Sequence, residues 1–205
     1  MKYDWPDDEV NSIRSVVIPK KSLIRDRVPL PESPSGTLDD GRSDFRGFPL
    51  STMASVNIDS ANFSFCRSPI NEYGVDQLIM LTNVQCNNVI FDRSRVFHRI
   101  DGNFSRCSFQ KIGTSQSSLV GTFSECDFTG TSFRNAHFVA NFRNCNFSNC
   151  NLNLASWGSS FEECSFTGSK IHDLFADVRD VAMSSELVTF CVVGDTVKPG
   201  ETRHI

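Results

Sequence analysis

Large apolar side chains recur at fixed intervals between residues 104 and 171. The series runs Phe104, Phe109, Thr114, Leu119, then Phe123, Phe128, Phe133, Phe138, then Phe142, Phe147, Leu152, Trp157, then Phe161, Phe166 and Ile171. Steps of five, five, five and four repeat, so the period is 19 residues. A second series, mostly small, sits two positions earlier: Gly102, Cys107, Ile112, Ser117, Gly121, Cys126, Thr131, Ala136, Ala140, Cys145, Cys150, Ala155, Ser159, Cys164 and Ser169. A large residue at i and a small one at i−2 is the alternation of a strand facing one core. A helix would need spacings of three and four, and a plain strand would not restart every five residues. The pattern predicts strands of about three residues separated by corners, with four sides closing one coil.

Aligned at 19 residues, the positions form columns. Phe104, Phe123, Phe142 and Phe161 make one, Phe109, Phe128, Phe147 and Phe166 a second, and Cys107, Cys126, Cys145 and Cys164 a third. Backbone groups of each coil then pair with the coils on either side at about 4.8 Å, and like side chains stack in register. The expected fold is all-β, a parallel β-solenoid over residues 51–176. At 19 residues per coil, residues 56–176 hold roughly six coils, a rod of about 30 Å.

The units CSFQK, CDFTG, AHFVA, CNFSN, CNLNL and CSFTG resemble the pentapeptide-repeat family. Its unit is a small residue, a polar residue, Leu or Phe, and two variable residues. The resemblance is strongest over 104–171, with weaker rungs at Val56-Asn57-Ile58 and Ala61-Asn62-Phe63. Further rungs are expected from Val84 to Ile100, in a register the sequence does not fix. The resemblance implies a right-handed quadrilateral β-helix. The family usually steps by five throughout, so the residue missing from each coil here should tighten one corner.

Both ends of a solenoid need covering, because they expose unpaired backbone and apolar rungs. Residues 1–50 are read as a non-repeat extension. Asp4-Trp5-Pro6-Asp7-Asp8-Glu9 resembles a helix start, with acids in the first turn. Val28-Pro29-Leu30-Pro31 and Ser33-Pro34-Ser35-Gly36 break regular structure. The expectation is partly extended chain capping the first coil, and the alternative is a partner-binding arm. Residues 177–205 are read as a C-terminal cap, with a short helix over His172–Met183 and a buried strand within Ser184–Val193. Gly194-Asp195 and Pro199-Gly200 are turn signals. Homodimerisation through this end, which the resemblance suggests for some relatives, is the alternative.

Composition narrows the chemistry. Phe is used 18 times against two Tyr and two Trp, as a repeated slot without a polar handle would require. With 20 basic and 24 acidic residues the net charge is −4, which argues against direct nucleic-acid contact through a basic surface. No apolar run approaches a membrane span. Met1 to Val10 shows no secretory signal, so a cytoplasmic location is expected, and the eight Cys are read as free thiols. The Cys column fills a small inward slot, as buried free Cys often does. No Cys-x-x-Cys with His at ligand spacing supports a zinc site, and no metal or cofactor is expected. His137 precedes Phe138 and should point outward, and His98, His172 and His204 fit no catalytic order. Glu162 and Glu163 are adjacent on a strand and should diverge, and Trp157 should fill the core. No catalytic residue is assigned and no enzymatic activity is expected.

Between Phe104 and Ile171 lie five basic residues (Arg106, Lys111, Arg134, Arg143, Lys170) and four acids (Glu125, Asp127, Glu162, Glu163). The resemblance brings one candidate activity, protection of DNA gyrase by mimicry of duplex DNA. Mimicry needs rows of carboxylates against a basic groove, and these coils are nearly neutral. The expected function is therefore a bacterial, non-enzymatic protein-binding module, an immunity or target-protection protein that occludes a partner such as a toxin. The alternatives are a DNA mimic that binds gyrase or another type II topoisomerase, and a structural scaffold or translocated effector. No partner-contact residue is assigned.

Overall fold

The computed structural model describes residues 5–18, 26–69, 77–95, 97–154, 159–172, 174–179 and 190–192. Helix α1 (Asp7–Val17) comes first. Five short strands follow: β1 (Val28–Pro29), β2 (Ser43–Asp44), β3 (Thr52–Ala54), β4 (Val56–Asp59) and β5 (Ala61–Asn62). Longer ones come next: β6 (Ile79–Asn87), β7 (Phe97–Ser105), β8 (Gly113–Ser124) and β9 (Ser132–Arg143). The order closes with β10 (Asn151–Leu154), β11 (Ser159–Glu162), β12 (Lys170–His172), β13 (Leu174–Arg179) and β14 (Phe190–Val192). The named strands pair in parallel throughout, twelve of them in one sheet that winds from coil to coil. Phe104, Phe123, Phe142 and Phe161 are consecutive register partners, each 19 residues from the last.

The core is a pair of phenylalanine stacks. Ring centroids are 4.7, 5.0 and 4.7 Å apart along Phe104, Phe123, Phe142 and Phe161. They are 5.1, 4.8 and 5.2 Å apart along Phe109, Phe128, Phe147 and Phe166. These separations follow the strand spacing of about 4.8 Å, so backbone pairing and ring stacking reinforce each other. The second stack continues upstream through Phe91, Phe63 and Phe45, at 5.1, 5.6 and 4.8 Å. Phe45, Phe48 and Leu50 are buried in this core, and β1 and β2 pair with β4 and β5. The segment expected to be a non-repeat extension up to residue 50 therefore supplies the first coil. Its prolines and glycines hid the two short strands.

Each corner follows one rule. Of the thirteen non-glycine residues with positive φ, twelve stand two positions after a large inward residue, as Arg106 follows Phe104 and Lys111 follows Phe109, and Asn88 stands two after the buried Cys86. The left-handed conformation turns the chain through the corner. At the four-residue step this turning position is also the small inward residue of the next side. Gly121, two after Leu119, has φ +109°. A Cβ there would lie 2.1 Å from the carbonyl oxygen of Gly102 in the neighbouring coil. The pairing runs straight through this tightened corner, so β8 and β9 each continue for 12 residues instead of breaking into short strands.

The small inward residues do more than leave room. Thr131 donates its hydroxyl to the Phe109 carbonyl oxygen in the preceding coil at 2.7 Å. Ser94 does the same to Phe63 at 2.8 Å, and the Cys150 thiol to Phe128 at 3.1 Å. Cys66 and Ser169 reach Phe45 and Phe147 in the same way. In the parallel column the thiols of Cys126, Cys145 and Cys164 lie 3.3 Å from the carbonyl oxygens of Ser124, Arg143 and Glu162, and 3.6, 3.4 and 3.7 Å from those of Phe104, Phe123 and Phe142 in the preceding coil. Five of the six residues in the slot of Thr131, namely Cys66, Ser94, Thr131, Cys150 and Ser169, are small and carry a donor, and Ile112 is the exception.

At the N-terminal end α1 buries Val10, Ile13 and Val17. Trp5 stacks on Phe45 with 6.1 Å between centroids, meets Phe48 edge-on at 5.1 Å, and donates Nε1–H to the Arg46 carbonyl at 3.0 Å. Two arginines clamp the first coil to the third. Arg27 bonds the backbone and side-chain oxygens of Asn83 at 3.0 and 2.9 Å. Arg42 bonds those of Asn88 at 3.4 and 2.7 Å.

The short helix expected over 172–183 is not formed across its central part. β13 instead pairs with β11, bringing Ala176 opposite Ser159 and Val178 opposite Phe161, and β14 pairs with β13. The step from Ser159 to Ala176 is 17 residues and falls outside the series. The ladder thus crosses the boundary expected at residues 176/177. β14 lies within the strand expected over Ser184–Val193. Trp157, residues 184–189, both turn signals after residue 193 and His204 lie outside the described residues.

Candidate interaction faces

With inward positions fixed by the stacks, the outward rows define what the rod can present. One side carries two rows across β4, β6, β7, β8, β9 and β11. The first is Asn57, Gln85, Asn103, Thr122, Asn141, Ser160, and the second Asp59, Asn87, Ser105, Ser124, Arg143, Glu162. Amides and hydroxyls bond from coil to coil: Thr122 to Asn103 and Ser160 to Asn141 at 2.8 Å, and Asn87 to Asp59 at 2.7 Å. A shallow groove of about 670 Å³ lies over the N-terminal part of these rows.

The next side consists of closed polar turns. Asp127 Oδ1 accepts the Thr129 amide and hydroxyl at 2.9 and 2.5 Å, and Asn146 Oδ1 accepts those of Ser148 at 3.0 and 2.6 Å. Gln110 bridges coils to Asp127 Oδ2 at 2.6 Å. Asp92 Oδ1 accepts the Ser108 hydroxyl at 2.6 Å and the Gln110 amide at 2.9 Å. Burial pushes the Asp92 carboxyl above its ordinary range, against the pull of these two bonds. Between the two sides runs a corner row of mixed sign, Arg106, Glu125, Asn144 and Glu163, with Glu163 Oε2 3.7 Å from Arg143 Nε.

The cysteines are part of the packing. Seven are buried as free thiols: Cys66, Cys86, Cys107, Cys126, Cys145, Cys150 and Cys164. Burial raises Cys66 and Cys86 and pushes Cys150 up to about 12. Among the described residues no group of three or more His, Cys, Asp or Glu could hold a metal ion. His137 is exposed, in register with Ser118, and His98 is half-buried. Glu162 lies in the amide–hydroxyl rows while Glu163 turns the corner, so the structure does not bring them together. The Arg27 and Arg42 clamps and the half-buried Asp92 escape sequence reading. Their partners lie at 56, 46 and 18 residues' separation, outside the regular 19-residue interval.

Stacked inward rings, parallel in-register coils and recurrent left-handed corners define a β-solenoid of the pentapeptide-repeat type. No family model matches the sequence, and no curated protein does. Among solved structures, a trypsin-treated variant of QnrB1, a plasmid-mediated fluoroquinolone resistance protein, aligns at TM-score 0.29 and 16% identity, covering 79% of this chain and 88% of that one. A pentapeptide repeat protein, Rfr23 from the cyanobacterium Cyanothece 51142, aligns at TM-score 0.21 and 15% identity, covering 67% and 87%. At such scores the fold assignment rests on this chain's own ladders.

Proposed function

We propose that the chain is a non-enzymatic protein-binding rod, an immunity or target-protection protein of the bacterial cytoplasm that occludes a protein partner. The observation that carries this reading is the contrast between inside and outside. Inward positions repeat, with Phe over Phe and Cys over Cys. Outward rows do not, as in the order Asn57, Gln85, Asn103, Thr122, Asn141. A scaffold that only had to stack would need no such variety. A rigid rod with an aperiodic surface loses little conformational entropy on docking and can be specific.

Mimicry of DNA draws less support. In the paired outward rows among the described residues, no two successive coils carry carboxylates in one row. A phosphate-like track requires that repetition. The test is capture from the native lysate on immobilised full-length protein, washed at low and high salt. A small toxin retained at high salt supports the reading. Type II topoisomerase subunits released by salt would replace it with the mimic, and recovery of no protein above a blank matrix would remove both.

A further inference from the structure

One side of the rod carries a line of cations that form no ion pair among the described residues. Arg67 and Arg95 occupy one row on successive coils: the Arg95 amide bonds the Cys66 carbonyl at 3.1 Å, and the Gly113 amide the Ser94 carbonyl at 2.9 Å. The adjoining corner row holds Phe65, Arg93 and Lys111, again one per coil. Arg134 lies one coil further, in register with Ser115 and Asn153. Arg67, Arg93, Arg95, Lys111 and Arg134 are all exposed. None of them makes an ion pair among the described residues, where every such pair uses Arg42, Arg46, Arg99 or Arg143. No carboxylate occurs in the rows Arg67, Arg95, Gly113, Ser132, Asn151 or Ser115, Arg134, Asn153. Asp92, next to the corner, is half-buried and bonded to Ser108 and Gln110.

An aromatic ring lies within this stripe. Phe65 is 40% exposed, and the Arg93 guanidinium sits over its ring, 5.6 Å from the centroid. The stripe gathers five of the 20 cations of a chain whose net charge is −4. Four successive coils at about 4.8 Å each present it as a rigid line about 15 Å long.

We propose that this stripe is a docking surface for an acidic face of a protein partner, with Phe65 as the apolar anchor. The proposal rests on the protein-binding reading above and assigns that partner its chemistry. Four of the five cations are Arg, which pairs with carboxylates in bidentate geometry. An Arg beside an exposed aromatic ring is the composition of a protein-interface anchor. The net negative charge of the whole chain disfavours a long polyanion that would run beyond the stripe.

The test compares the native chain with a variant carrying Arg67→Gln, Arg95→Gln, Lys111→Gln and Arg134→Gln. Arg93 is kept because it covers Phe65. A control variant carries Arg106→Gln and Arg143→Gln on the opposite side. Binding of labelled poly-L-glutamate and of an oligo-dT of matched charge is followed by fluorescence anisotropy over a salt series, and thermal melts check that each variant is folded. The expected result is salt-sensitive binding of polyglutamate, tighter than oligo-dT, weakened about tenfold or more in the stripe variant and unchanged in the control. No binding at low salt, or equal binding by the stripe variant, overturns the proposal. Tighter binding of oligo-dT overturns it in favour of nucleic acid. A partner captured from lysate equally by the native chain and the stripe variant removes the stripe and leaves the protein-binding reading standing.

Discussion

The Thr131 hydroxyl donates to the Phe109 carbonyl oxygen one coil away at 2.7 Å, with Thr131 1% exposed. The bond ties the small column to the phenylalanine stack, and Ser94, Cys150 and Ser169 repeat it. Thr131→Val keeps the shape and removes the donor, so the buried Phe109 carbonyl loses its hydroxyl partner. Such a loss costs about 1–3 kcal/mol. Urea denaturation should show a lower midpoint at unchanged slope, with Thr131→Ser closer to the parent. A midpoint equal to the parent's would mean that the slot selects for size alone.

The corner rule gives opposite signs at neighbouring positions. Glu125 turns its corner at φ +55°, where Asn144 serves one coil on at +51°. Asn tolerates this region better than Glu, so Glu125→Asn should raise the melting temperature. A stabilisation of about 0.5 kcal/mol or more is expected. Gly121→Ala should do the reverse, because its Cβ would overlap the Gly102 carbonyl at 2.1 Å and nothing but backbone can yield. Differential scanning calorimetry of both variants checks the pair. Equal effects of like sign would refute the rule.

Legibility in the sequence followed regularity. Residues 104–171 announced their coil because each large residue recurred at a constant interval. Upstream, Phe63 and Phe91 are ring partners 28 residues apart, and Phe91 and Phe109 18 apart. β7 and β8 also slip register between Phe97 and Arg99. No single alignment spacing reveals those partners, although they pack like the rest. The interaction faces were hidden for another reason. Outward residues do not repeat, so only the corner rule, read from backbone geometry, places Arg93 and Lys111 on one edge. At the C-terminal end, the 17-residue step to Ala176 disguised a strand as a helix.

Cys150 directs its thiol at the Phe128 carbonyl at 3.1 Å, and burial pushes it up to about 12. A thiol so protonated and enclosed should not react. In the folded protein near pH 8, Cys66, Cys86 and Cys150 should resist a thiol reagent over the time in which the denatured chain is fully modified. Cys150→Ser should be well tolerated, since Ser169 and Ser94 already fill equivalent slots. Peptide mapping after brief alkylation identifies the sites, and rapid labelling of native Cys150 would place it outside the core.

The N-terminal helix acts as a lid on the first rung. Trp5→Ala should remove the stack on Phe45, the edge contact with Phe48 and the bond to Arg46, at a cost of about 2 kcal/mol. Deleting residues 1–18 should have a larger effect, because Phe45 and Phe48 are 0% and 1% exposed only while covered. Light scattering should then show concentration-dependent association. A deletion product that stays monomeric with an unchanged melt would make the segment an arm instead of a cap.

Asp92 provides the pH dependence. Burial raises its carboxyl, opposed by bonds from Ser108 and Gln110. In the folded state it therefore holds its proton to higher pH than in the unfolded chain. Between the two values the native state binds more protons, so stability falls as pH rises through that window. The ionised carboxylate costs stability at neutral pH and not below the ordinary carboxylate range. Asp92→Asn keeps an oxygen acceptor for Ser108 and Gln110 and removes the charge. Its melting temperature should exceed the parent's at pH 7, and the difference should close as the pH approaches 3. A difference that stays constant across that range would show that the carboxylate is solvated and its burial of no consequence.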